Sequence, residues 1–128
     1  MAYLSKVQFF VVLAAGFLVG QAALAETSEW MKGRDSFGYA RKLQSSGMIV
    51  TRMECKDSGR TELDVNSAMV RFTYGPNTKM VKWLIDGWVN LGENERYWKG
   101  RGYKLASHTV FVRHKTGLRL YCTIFHKN

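Results

Sequence analysis

Two cysteines constrain this chain more than any other feature. Cys55 and Cys122 are its whole cysteine complement, and they stand 67 positions apart. A bond between them would tie the middle of the chain to its end, so any fold must bring those regions together. The N-terminus bears on whether the bond forms. Residues 1–6 carry one lysine, residues 7–20 form an apolar run, and Ala23-Leu24-Ala25 puts small residues at positions −3 and −1 before Glu26. That is the pattern of a secretory signal peptide. The run is shorter than the roughly 20 residues of a membrane span, and no cysteine follows it directly to carry a lipid anchor. The expectation is export, periplasmic or secreted, with residues 1–25 cleaved near Ala25/Glu26 and residues 26–128 left as a single small α+β domain. In an oxidising compartment the two cysteines pair. Zinc binding would need two more ligands at suitable spacing, and none sits near Cys55. Closing the loop is worth about 4 kcal/mol by chain entropy, a useful staple for so small a core.

The rest of the chain reads as alternating elements. A helix is expected over residues 28–45, with Thr27 or Ser28 as cap, Glu29 and Asp35 early, Arg41 and Lys42 late, and Gly47 as terminator. A hairpin follows, with residues 48–56 turning at Asp57-Ser58-Gly59 into residues 60–66. Pairing Lys56 with Arg60 sets Cys55 against Thr61, Met53 against Leu63 and Thr51 against Val65, on one face with Ile49. Residues 69–74 alternate as a third strand with Val70, Phe72 and Tyr74 on one side. A second helix is expected from Asn77 or Thr78 to Gly92, because Val81, Leu84, Ile85, Trp88 and Leu91 have helical spacing. Residues 93–102 read as a polar loop.

The last hairpin joins residues 103–114 to 118–127 around Lys115-Thr116-Gly117. Pairing His114 with Leu118 places Ala106, His108, Val110 and Val112 on one face with Leu118, Leu120, Cys122, Ile124 and His126. The other face then pairs Phe111 with Tyr121 and Arg113 with Arg119. The expected fold class is α+β: an antiparallel sheet of two β-hairpins plus an extra strand, packed by two helices, in the order helix-hairpin-helix-hairpin, with one disulfide.

Length and charge then narrow the function. At 128 residues the chain excludes a large multidomain enzyme, and 46% hydrophobic with 23% charged residues is the composition of a folded chain. The formal charge is +9; with Lys6 removed, residues 26–128 hold 18 basic and 10 acidic residues, a net of +8. Residues 26–95 balance at ten of each, so the whole excess lies in residues 96–128, which hold eight basic residues and no acidic one. Aromatics interleave with that charge. Arg96, Trp98, Lys99, Arg101, Tyr103, Phe111, Arg113, Lys115, Arg119, Tyr121 and Phe125 are the candidate ligand-binding residues, with charge for attraction and rings for stacking.

Catalytic motifs are absent from the sequence. There is no nucleophile elbow, no Ser-x-x-Lys, no phosphate loop and no dinucleotide-binding glycine pattern. No metal or cofactor is expected. His108 and His126 fall diagonally on one face of the expected hairpin, within reach for acid–base work with a lysine such as Lys104. Three functions follow. The first is a small exported binding protein for an anionic polymer, an anionic headgroup, a carbohydrate of the cell envelope or an acidic protein. The second is an exported hydrolase such as a nuclease using His108 and His126, since nucleic acid suits a basic chain. The third is an inhibitor or accessory protein of a protein partner.

Overall fold

A computed structural model describes residues 25–59 and 67–128. In chain order the elements are β1 (Glu26–Thr27), β2 (Met31–Lys32), α1 (Gly33–Ser45), β3 (Met48–Asp57), β4 (Ala68–Pro76), β5 (Lys82–Trp88), α2 (Leu91–Lys99), β6 (Lys104–Val112) and β7 (Arg119–Lys127). They form an α+β fold with two antiparallel sheets and two helices.

In the first sheet β4 is central. β3 runs along one edge, and β1 and β2 share the other. Ser28 bridges the break between β1 and β2: its N–H donates to the Phe72 carbonyl at 2.8 Å, and its Oγ accepts from the Phe72 N–H at 3.0 Å. Ser28 therefore completes strand pairing instead of capping a helix, and α1 starts at Gly33 rather than at residue 28. A stripe of Gly33, Ser36, Ala40 and Leu43 buries its inner face, and Gly47, at φ 71°, ends it in the left-handed conformation that glycine tolerates.

In the second sheet β7 is central, between β5 and β6. The core lies between the sheets and under α1: Val50, Met53, Val70 and Phe72 from the first sheet, Trp83, Ile85, Phe111, Cys122 and Ile124 from the second, and Ala40 and Leu43 from the helix. Cys55 and Cys122 form a disulfide that joins β3 to β7 and so links the two sheets. Polar contacts reinforce the seam. Thr109 Oγ1 donates to the Met53 carbonyl at 3.0 Å, and Trp83 Nε1 donates to the Met48 carbonyl at 2.9 Å.

Four expectations are corrected, and a fifth, the return strand of the first hairpin at residues 60–66, falls outside the described residues. β3 pairs with β4, setting Cys55 opposite Val70 and Met53 opposite Phe72. An irregularity between Val50 and Arg52 turns Val50 fully inward, leaves Thr51 exposed and keeps Ile49 only partly buried against the core. The expected second helix is strand β5, and the expected loop is helix α2. The last hairpin is shifted by one residue. Val112 pairs with Arg119, Phe111 with Leu120 and Thr109 with Cys122. The turn is one residue longer than expected, closed by Arg113 N–H to Leu118 O at 2.9 Å and by Gly117 N–H to Arg113 O at 2.8 Å. Cys122 and Ile124 still face inward, but β6 is inverted, because a slip of one residue exchanges its two faces.

Candidate functional site

The inverted strand divides the basic–aromatic set. Phe111 faces the core, on the opposite side of the sheet from Tyr121 and Phe125, and Phe125 is fully buried. The charges gather at the two ends of the β6–β7 ladder. Lys104, opposite His126, marks one end and Val112, opposite Arg119, the other. The rise of a β-strand separates these ends by about 26 Å.

At the first end stand Arg96, Lys99 and Arg101, and the aromatics there secure α2 to the sheet. Trp98 Nε1 donates to Asp86 Oδ2 at 2.6 Å, and its ring lies 5.6 Å from Tyr103 and 6.0 Å from Phe125. The Arg101 guanidinium lies 3.7 Å over the Tyr97 ring. Beneath the helix runs a polar network that sequence reasoning missed. Asn94, fully buried, donates from Nδ2 to Asp86 Oδ2 at 2.9 Å and accepts from Thr123 Oγ1 at 2.8 Å. The missed signal was Asn90 followed by Glu93. The Asn90 side chain accepts from the Glu93 N–H at 3.0 Å, the ordinary start of a helix.

At the other end stand Arg113, Lys115 and Arg119, beside an apolar cleft of about 660 Å³. Its walls come from three layers: Phe37 of α1, Met53 and Val70 of the first sheet, and Phe111, Leu118 and Leu120 of the β6–β7 hairpin. Small residues explain why the space is open. Gly33, Ser36, Ser67, Ala68 and Gly87 line it where larger side chains would fill it. Protein interiors are normally close-packed, and this volume falls in the range of about 300–1,000 Å³ usual for ligand sites. Arg113, only 6% exposed, forms part of the wall, whereas Lys115 and Arg119 are exposed, and Arg119, paired with Val112, lies on the sheet face opposite the wall residues Phe111 and Leu120.

The hairpin tip is fixed in place. His114 Nδ1 lies 2.9 Å from Asp57 Oδ2 at the end of β3. The hydrogen bond from His114 holds the Asp57 carboxyl below the usual carboxylate range. Asp86, the acidic residue among the described lining residues, is engaged by the Gly87 N–H at 2.8 Å as well as by Asn94 and Trp98.

The histidine pair is not assembled. His108 pairs with Thr123 and lies 6.3 Å, ring to ring, from Tyr121, whereas His126 sits opposite Trp83 on the other face. The inversion of β6 separates them. Among the described residues, no helix is long and apolar enough to cross a membrane. No known protein family, curated protein or solved structure matches this chain.

Proposed function

We propose that residues 26–128 form a small exported binding protein whose ligand seat is the apolar cleft between α1 and the two sheets. The carrying observation is the cleft itself: about 660 Å³ walled by Phe37, Met53, Val70, Phe111, Leu118 and Leu120. Export is supported by the signal-like N-terminus and by the Cys55–Cys122 bond, which suits an oxidising compartment. A cleft ligand is preferred to a polymer lying on the surface. The eleven candidate residues do not share a face, and Phe125, one of the rings a surface polymer would stack on, is fully buried. It is preferred to a nuclease because His108 and His126 occupy opposite faces.

Titration of residues 26–128 with the neutral apolar fluorophore N-phenyl-1-naphthylamine tests this. Saturable binding of one molecule per chain is expected. The double variant Phe37→Ser, Leu118→Ser should bind about tenfold more weakly, as expected for apolar contact removed from two walls. Both side chains are partly exposed, at 37% and 50%, so the variant should keep the far-ultraviolet spectrum of the parent. Absence of saturable binding, or binding unaffected by the double substitution, would overturn the reading.

A further inference from the structure

We infer that the end of the molecule formed by the β4–β5 turn and the C-terminus of α2 is a docking surface for a bilayer that contains anionic lipid. This surface is separate from the cleft and goes beyond the cleft reading. The first observation is a strip of cations that the fold brings together. Lys82 stands directly opposite Lys127 at the end of the β5–β7 ladder. Lys127 Nζ donates to the Arg101 carbonyl at 3.2 Å, just past the end of α2. Lys79 lies in the turn that leads to Lys82, and that turn reaches the strip, since Tyr103 lines a small hollow together with Asn77, Val81 and Lys82.

These charges are not neutralised within the fold. Like charges set directly opposite weaken a sheet, and among the described residues none of Lys79, Lys82, Arg101 and Lys127 forms an ion pair. Asp86, further along β5, accepts from Gly87, Asn94 and Trp98. Residues 60–66 join the fold at the Asp57–Ala68 end of the β3–β4 ladder, whereas the turn to β5 leaves from Pro76 at the other end. Strand rise separates those ends by about 26 Å. A cluster of about four to eight lysines and arginines is what the surface potential of an anionic leaflet attracts.

The second observation is an apolar side chain held out among the cations. Met80 is 86% exposed. The turn that presents it is closed by Asn77, whose carbonyl accepts from the Met80 N–H at 3.2 Å. The Asn77 side chain donates to the Val81 carbonyl at 2.8 Å and accepts from the Val81 N–H at 2.9 Å. An apolar side chain flanked by lysines matches the boundary between headgroups and acyl chains, where the one is buried and the others stay with the phosphates.

The third observation favours a bilayer over a soluble polyanion. The rings beside the strip are Tyr97 and Tyr103, and the protein's own cations cover them. The Arg101 guanidinium lies 3.7 Å over Tyr97, and Lys127 Nζ lies 5.5 Å over Tyr103. A polymer of bases or sugars would need such ring faces for stacking. Tyrosine at headgroup level needs none, which is why it is frequent at membrane interfaces.

Co-sedimentation of residues 26–128 with vesicles tests the inference. One set is phosphatidylcholine alone, and the other is phosphatidylcholine with phosphatidylglycerol in equal parts. Binding to the mixed vesicles should be about tenfold tighter or more, and should weaken as salt is raised. Lys79→Gln, Lys82→Gln and Arg101→Gln combined should weaken it about a hundredfold, at about fivefold for each cation. Met80→Asn should weaken it about tenfold. Asparagine tolerates the φ of 52° at that position. Lys115→Gln with Arg119→Gln, at the other end of the β6–β7 ladder, should change binding by about twofold at most, because that end lies several screening lengths away. All these positions are exposed, so the variants should fold, which circular dichroism checks.

Equal binding to the two vesicle sets overturns the anionic bilayer. A loss from the Lys115 and Arg119 pair that matches the loss from the triple variant overturns the assigned surface. Vesicle binding unchanged by Met80→Asn overturns the bilayer and assigns the strip to a soluble polyanion, for which dextran sulfate is the probe. The fluorophore titration tests the cleft independently of all three.

Discussion

At the scale of single residues, the hairpin tip shows how a surface pair does positional work without large energy. His114 and Asp57 meet at 2.9 Å across the end of β3, with the histidine side chain largely exposed. Exposed pairs contribute little stability, but this one ties the hairpin tip to the end of β3. Its signature is electrostatic. The Asp57 carboxyl is lowered from 3.8, chiefly by the hydrogen bond from His114. A carboxylate with a depressed folded-state value adds stability that is full above its ordinary value and disappears as the pH falls through the depressed one. Carboxyl-detected magnetic resonance should show Asp57 titrating below the ordinary range in the parent and returning toward 3.8 in His114→Ala. The two proteins should also converge in stability in acid, once Asp57 is protonated. An Asp57 midpoint indifferent to the substitution would mean that the tip is held by other contacts.

At the scale of elements, legibility followed how many faces of each segment were covered. α1 was readable because one stripe is buried and its opposite side is solvated, although its start was read too early: Ser28 has a capping side chain that is used in strand pairing instead. β5 was unreadable for the converse reason. Trp83 and Ile85 face the core, while Leu84, opposite the buried Phe125, lies on the face that carries α2. A strand covered on both faces loses its alternation, and Leu84-Ile85 with Val81 and Trp88 then imitates a helix. α2 was taken for a loop because what it buries is largely polar, Asn94 above all. The last hairpin was legible in its strands and its glycine turn but not in its register. Both registers put Leu120, Cys122 and Ile124 inward, and they differ only in whether β6 adds Val110 and Val112 or Thr109 and Phe111. That difference is testable. Phe111 is 9% exposed and Val112 53%, so Phe111→Ala should cost about 3 kcal/mol and Val112→Ala less than about 0.5 kcal/mol in urea unfolding. The shorter-turn register would reverse the order. The candidate site was legible only in its charge. The basic excess of residues 96–128 pointed to both ends of the β6–β7 ladder, and the cleft depends on small residues from α1, β4 and β5 meeting in space, which no local pattern records.

At the scale of the whole molecule, the cysteine pair is a covalent connection between the two small sheets that share the core. β3 belongs to the first sheet and β7 to the second, and the bond between Cys55 and Cys122 spans 67 residues of chain. Cross-linking a loop of that length restricts the unfolded chain by about 4 kcal/mol. The bond also stands beside the cleft, since Cys122 lines it together with Met53 and Val70 from the facing sheet. Loss of either sulfur should therefore remove the same constraint. Cys55→Ser and Cys122→Ser should each lower unfolding stability by about 2–4 kcal/mol, and the double variant should lie close to either single one, because a bond that is already broken cannot be broken again. Urea denaturation of the three variants alongside the parent measures this, and thiol titration of the denatured, unreduced parent should find no free thiol. Additive losses would show that the two residues act separately. Coincident losses would establish the staple as one interaction, holding together the two sheets whose facing walls form the cleft.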